Sequence, residues 1–398
     1  MTSRPIASAR RALCTLATLA LALAVGAPAL TAGRQTSDLP STPFPAAPAD
    51  PREPSRLIDC AVQTLNALRA DASDLAALFG VPSSAQRVRV ERAARAALAL
   101  IDDAERKSAE AIAALESRLI DAPAPADAET AARIEADLAR LIDVEQAQRL
   151  PLVRGRALTL LASAAEGAAR TESALRAAET LGKLRLPGPD AELLREVTLA
   201  AALLRSPDPD GQARRTAARL FHGVVRREPT RPGAEASTLA ALGLASIGET
   251  PGEATIDPVM LREARARHAW DRSRTESARR AQLLHEACTH LLSIPRADDA
   301  ARIALYAKLA AVVEGAVSMS EVPAEAAFAR AVTLLRESEN SAEAAAILRQ
   351  LADRADAPAP LRAEIAWESL VLLSRRTDRA PADLALSTEE ADALLAFL

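Results

Sequence analysis

The sequence predicts an all-α protein: a helical-hairpin repeat solenoid preceded by a long antiparallel helical hairpin. Three observations carry this. Alanine and leucine dominate the 398 residues while glycine occurs only 14 times, so the strongest intrinsic helix formers are the ones over-used. Strand-like runs of Val, Ile, Thr and Tyr are absent. The middle of the chain matches itself at a fixed offset of forty residues, on text that reads as helical. Aromatic residues make up only 2% of the chain, so its core has to be aliphatic.

Residues 1–29 read as a secretory signal peptide. Arg4, Arg10 and Arg11 precede the apolar run "ALCTLATLALALAV", and the small residues Ala27 and Ala29 frame a cleavage site. That run of about 14 residues falls short of the ~20 that span a bilayer, so a membrane role is expected only if the segment stays uncleaved. The protein is therefore expected to be exported and periplasmic or associated with the cell envelope. Loss of this segment removes three arginines and no acid, taking the formal charge from −4 to −7. A mildly acidic chain has no global attraction for nucleic acid, and none is expected as a partner.

Residues 30–54 are crowded with proline and carry no hydrophobic period, as in a linker. Residues 55–150 are read as N-terminal helices that include the long hairpin. From Ser83 to Asp121 there is neither proline nor glycine, and Val90, Ala94, Ala97, Ile101, Ala104, Ser108, Ala111 and Leu115 recur by fours and threes. That spacing draws one narrow seam of small residues along a long helix. "APAPAD" then reverses the chain, and Ala131, Ile134, Leu138 and Leu141 continue the spacing on the return helix.

Residues 151–398 are read as the solenoid. Ala177, Leu181, Leu184 and Pro189 become Ala217, Phe221, Val224 and Pro229, and Thr198-Leu199-Ala200-Ala201 becomes Thr238-Leu239-Ala240-Ala241. Helical pairs that repeat in this way expose an apolar face that only a neighbour can cover, so they stack. Weaker echoes occur at Leu141, Val144 and Pro151, and at Ala344, Leu348 and Leu351 followed by Pro358 and Pro360. The pattern A-x3-[FL]-x2-[VL]-x4-P resembles the second helix of a tetratricopeptide repeat. The resemblance implies alanine where helices approach closely, a larger residue between helices and a proline that ends the helix. The first-helix tryptophan, glycine and tyrosine of that family are missing, and the period is about 40 rather than 34. At the C-terminus, Ser387 and Glu390 form a capping box ahead of Ala391, Leu394, Leu395 and Leu398, as in a helix that closes the open end of a solenoid.

The chemistry-bearing residues point away from catalysis. "LLHEACTHLL", residues 283–292, gathers His285, Glu286, Cys288 and His290. At about 100° per residue, however, the two histidines lie about 140° apart, and their i,i+5 spacing is not the i,i+4 of a helical zinc site. Cys60 and Cys288 are expected to be buried thiols, with a disulfide between them as the alternative in an exported chain. No phosphate loop, nucleophile elbow or clustered ligand set occurs. No residue is offered as catalytic, cofactor-binding or metal-ligating, no cofactor is expected, and the partner-binding residues are unmarked. Two arginine-rich stretches, 211–231 and 262–280, read as solvated helix faces or as surfaces for an acidic partner.

The expected function is a non-catalytic scaffold that holds a protein or peptide partner at the cell envelope, since a curved helical stack offers a long binding surface. The alternatives are an enzyme or polysaccharide-binding protein on an α-helical scaffold, and a membrane-anchored subunit of an envelope complex.

Overall fold

The computed structural model describes residues 50–377 except 121–127, 228–234, 251–255, 338–340 and positions 315, 317 and 353. The expected signal peptide, most of the proline-rich linker and the closing helix at Ser387–Leu398 lie outside the described residues. Among the described residues every regular element is a helix.

Helix α1 (Glu53–Asn66) starts on Pro54, whose fixed φ suits a first turn, and packs along α3 (Ser84–Ile120). The eight residues of the expected α3 seam are all buried, and they are its whole buried set. Its alanines carry too little bulk to hold neighbouring helices apart, so α1 and the returning chain both lie close against α3. A short helix, α2 (Ser73–Leu78), lies between α1 and α3.

The return is one unbroken rod built from α4 (Ala128–Ala139), a π-helical stretch at Arg140–Arg149 and α5 (Leu150–Ala164). Pro151 accounts for the widened stretch. It has no N–H to donate and its ring crowds the carbonyl four residues back, so the helix ahead of it opens rather than closing a normal turn. The Gln148 side-chain amide donates to the Asp143 carbonyl at 2.8 Å across the opening. Inside it, the buried Glu145 carboxylate accepts from Ser55 Oγ at 2.7 Å and from Arg149 Nη1 at 3.0 and 3.1 Å, tying the rod to α1. Position 150 thus falls within one rod and one core, where Leu150, Val153, Ala157 and Leu160 pack with Ile58, Ala61, Leu65 and the α3 seam. The echo at Leu141, Val144 and Pro151 does not reproduce the repeat, because Val144 is exposed and Pro151 sits in the first turn of α5.

The solenoid continues through α6 (Gly167–Lys183), α7 (Pro189–Leu203), α8 (Gln212–Arg227), α9 (Glu235–Ser246) and α10 (Pro258–Thr275). It goes on through α11 (Arg280–Leu292), α12 (Asp299–Val313), α13 (Ala324–Glu337), α14 (Ser341–Ala352) and α15 (Ala359–Thr377). Each packs on its chain neighbours, and α5, α7 and α9 also lie side by side. The offset of forty is structural: Ala177, Leu181 and Leu184 are buried, and so are Ala217, Phe221 and Val224. Ala200 and Ala201 match Ala240 and Ala241 in the same way. In α14, Ala344, Leu348 and Leu351 are again buried, together with Ile347. Proline takes a different part from the expected one. Helix α6 ends at Lys183 on an extended Leu184, and Pro189 opens α7, where its missing N–H leaves no bond unmade.

The bulk at Phe221 is matched by a glycine opposite, since a Cβ on Gly243 of α9 would lie 2.4 Å from the ring. A Cβ on Gly223, in α8, would meet only the flexible end of Arg227, at 3.7 Å, beyond its own helix backbone and chain neighbours. Both are helical, so alanine gains about 1 kcal/mol of propensity at either. At Gly243, overpacking of about 1–3 kcal/mol opposes that gain. Urea denaturation should therefore show Gly223→Ala raising the midpoint and Gly243→Ala lowering it.

Candidate functional site

The segment between α2 and α3 organises the site. After a 3-10 turn at Ala67–Asp71, Ala72 takes a left-handed conformation with φ of 54°, which redirects the chain into α2. Phe79, Gly80, Val81, Pro82 and Ser83 follow, and all five are buried. Phe79 inserts among α7, α8 and α9, edge-on to Phe221 with ring centroids 6.0 Å apart. Val81, two residues later, belongs to the core built by α10 to α15. The solenoid is therefore wrapped around a stretch of its own chain.

A buried non-helical backbone needs partners for its carbonyls. Two arginines supply them. Arg205 donates from Nη2 to the Leu78 carbonyl at 2.5 Å, and Arg267 donates from Nη1 to the Gly80 carbonyl at 3.0 Å. Their residues are only 6% and 3% exposed, so these are buried charges rather than surface ones. Arg267 is also held by Asp271, with Nε 2.8 Å from the carboxylate, and lies over Trp270 at 5.2 Å. Arg274 lies over the same indole at 4.2 Å. Burial first, and the like charge of Arg267 second, push Arg205 well below its ordinary range. Burial pushes Asp271 upward, but Arg267, Arg205 and Arg170 outweigh it and hold the carboxyl below its usual value.

Beside α2 lies an apolar groove of about 330 Å³ between α5, α7 and α9, lined by Leu75, Leu78, Leu194, Val197, Leu239 and Leu242. Its rim is charged. Arg69 is paired with Glu235 and reaches Asp74 at 3.5 Å. Arg156 donates to Asn66 Oδ1 at 2.9 Å and has no carboxylate within ion-pair distance among the described residues. Burial, then repulsion from Arg69, lowers its pKa. The arrangement suits apolar side chains seated in the groove with an acidic group beside Arg156.

In α11, Leu283, Leu284, Ala287, Cys288 and Leu291 are buried, and burial raises the Cys288 thiol to about 12. His285 and Glu286 are exposed on the other face and His290 is half-buried, so the four residues of that stretch do not converge. Among the described residues no three His, Cys, Asp or Glu side chains come together as metal ligands. Cys288 is buried as expected, whereas Cys60 is exposed on α1, and both are free thiols. The basic stretches are only partly solvated: Arg227 is paired with Glu196, Arg214 donates to the Ile247 carbonyl, and Arg267 is internal. Sequence reasoning missed Arg205 and Arg267. A signal for the second existed, since Arg267, Trp270, Asp271 and Arg274 are spaced i, i+3, i+4 and i+7 and share one helix face.

Comparison with family models, curated proteins and solved structures finds no match to this chain.

Phe79 is the anchor of the inserted segment, and its replacement leaves a cavity among three helices. Phe79→Ala should destabilise the protein by about 3–5 kcal/mol in chemical denaturation. A loss below about 1 kcal/mol would mean that the segment merely lies over the solenoid.

Proposed function

We propose that this protein is an exported, non-catalytic scaffold, resembling tetratricopeptide-repeat solenoids, that holds a protein or peptide partner at the cell envelope. The observation that carries the reading is the apolar groove across α2, α5, α7 and α9, with the carboxylate-free Arg156 on its rim. A groove of this kind takes two or three apolar side chains of a partner segment, and a desolvated guanidinium beside it favours an acidic residue in that segment. The repeat supports the same reading, because alanines at the buried positions of α7 and α9 let those helices lie closely side by side and form the groove floor. The N-terminal sequence supports export, with its basic start, apolar run and small-residue cleavage site.

Leu239 is part-exposed in the groove, so a charge can be placed there without entering the core. Leu239→Arg should leave the thermal melt within about 2 °C of the native chain, a surface-scale change. In affinity capture from the native host it should remove an envelope protein that the native chain retains. Arg156→Glu should weaken the same purified complex at least about tenfold, or 1.4 kcal/mol. Equal capture by the native chain and both variants would place the partner surface elsewhere.

A further inference from the structure

Residues of α6, α7, α8 and α10 border an open pocket of about 550 Å³ whose charge is unbalanced. Arg170, Arg205, Arg214, Arg272 and Arg274 line it, against Asp208 and Asp271. Two of these arginines are already engaged. Arg272 is held by both oxygens of Glu276 at 2.7 and 3.0 Å, and Arg214 donates to the Ile247 carbonyl. Asp271 is committed to Arg267, and Asp208 accepts from the backbone N–H groups of Ala213 and Arg214 at 2.9 and 2.8 Å.

The remaining guanidiniums have donors to spare. Arg205 spends one nitrogen on the Leu78 carbonyl, and its buried Nε has no hydrogen-bond partner. Arg170 makes no hydrogen bond or ion pair with any described residue, and the nearby Glu166 is taken by Arg87 at 2.8 Å. Arg274 is exposed at the pocket rim, lies over Trp270 at 4.2 Å and makes no hydrogen bond or ion pair with any described residue. Counting Arg267 and Glu276, which complete these pairs, six guanidiniums face three carboxylates. An unpartnered buried donor is rare in folded proteins, and one beside two further unpaired guanidiniums is the electrostatic mould of a missing oxyanion.

We propose that this cavity binds a small phosphate monoester, its dianionic phosphoryl oxygens taken by Arg170, Arg205 and Arg274 and its organic part lying against Leu203, Leu204 and Ile247. The charge selects the class. A single carboxylate would leave most of the positive excess in place, whereas a phosphoryl dianion offsets two charges and offers three acceptor oxygens to planar forks. The volume exceeds what a bare phosphate fills, and the apolar wall gives the ester carbon chain its contact. The shared group occurs on a free metabolite or on a lipid head, and the site would recognise both through the same oxygens. The cavity lies apart from the groove proposed for a partner, and neither proposal depends on the other.

Calorimetry at constant ionic strength tests this with glycerol 3-phosphate on the purified chain from Leu30 onward, with sodium chloride as the control for screening. Saturable binding is expected. Arg170→Gln removes no existing bond and should weaken it at least about tenfold, with an unchanged thermal melt; Arg274→Gln provides a second variant of the same expectation. Sedimentation with phosphatidylcholine vesicles, with and without phosphatidic acid, identifies the source. Binding to the phosphatidic acid vesicles that Arg170→Gln abolishes assigns the lipid form, and calorimetric binding without it assigns the free ester. Absence of both overturns the proposal, tested to about 10 mM ligand, beyond the ~1 mM range of weak specific binding. Equal affinity in folded Arg170→Gln and Arg274→Gln variants overturns it as well.

Discussion

Everything in this molecule depends on how a few residues of non-helical backbone are accommodated inside a stack of helices. Helices satisfy their own hydrogen bonds, whereas the non-helical run from Phe79 to Ser83 cannot satisfy all of its own. Its carbonyl partners have to reach in from elsewhere, and a long side chain with several donors in a rigid fork is suited to that task. Arg205 follows the C-terminal end of α7 and Arg267 comes from the middle of α10, so two distant parts of the solenoid hold carbonyls two residues apart in one segment. Burying two guanidiniums is unfavourable alone. Asp271 and the Trp270 face offset part of this for Arg267, while Arg205 has the Leu78 carbonyl and the charge of Asp271 without a direct ion pair to it.

This has a consequence for cooperativity. In a stack where each unit touches only its neighbours, stability is close to a sum of local terms and the ends open independently. Here Phe79 lies in the core of α7 to α9 and Val81 in that of α10 to α15, although only one residue separates them. The start of α3 extends the linkage, because Arg87 is paired with Glu166 before α6 and with Glu314 after α12. Contacts over such sequence separations join the units into a single body.

What was legible in the sequence was what repeats. The α3 seam could be read residue by residue, because alternate steps of four and three along a segment without proline or glycine leave one helical face to bury. The offset of forty was legible for the same reason: equal environments select equal residues at Ala177 and Ala217, or at Leu181 and Phe221. What did not repeat was hidden. "FGVPSS" reads as a break between helices, and nothing local distinguishes a surface turn from a buried insertion. Arg205 looks like any arginine at a helix end, and its burial is decided by residues more than a hundred positions away. Pro151 reads as a helix terminator, yet a π-helical widening absorbs it within a continuous rod. Cys60, apolar in its local text, ended on the exposed side of α1 because the aliphatic residues Ile58, Ala61 and Leu65 took the buried face.

The same arginines bear on why a positive excess persists around this pocket, from the buried Arg205 and Arg267 to the half-buried Arg170 and the exposed Arg274. Carbonyl partners need not be charged, since glutamine and asparagine also donate, and the charge can be compensated locally when acids are placed nearby. Neither solution is used. Only Asp271 stands against Arg205 and Arg267, and Arg170 and Arg274 add to their field rather than cancelling it, each shifted downward first by burial and then by Arg267. Like-charge repulsion of this kind destabilises the empty fold and is relieved when an anion enters. A helical stack selected for rigidity alone gains nothing from the arrangement, whereas one that must recognise an oxyanion needs the donors fixed in advance and left unspent. Backbone support and anion recognition thereby meet at Arg205, which has one nitrogen on the Leu78 carbonyl and an unpartnered Nε. Arg205 and Arg267 hold the inserted segment with some of their donors, while the charge they bring into the interior shapes the cavity beside it.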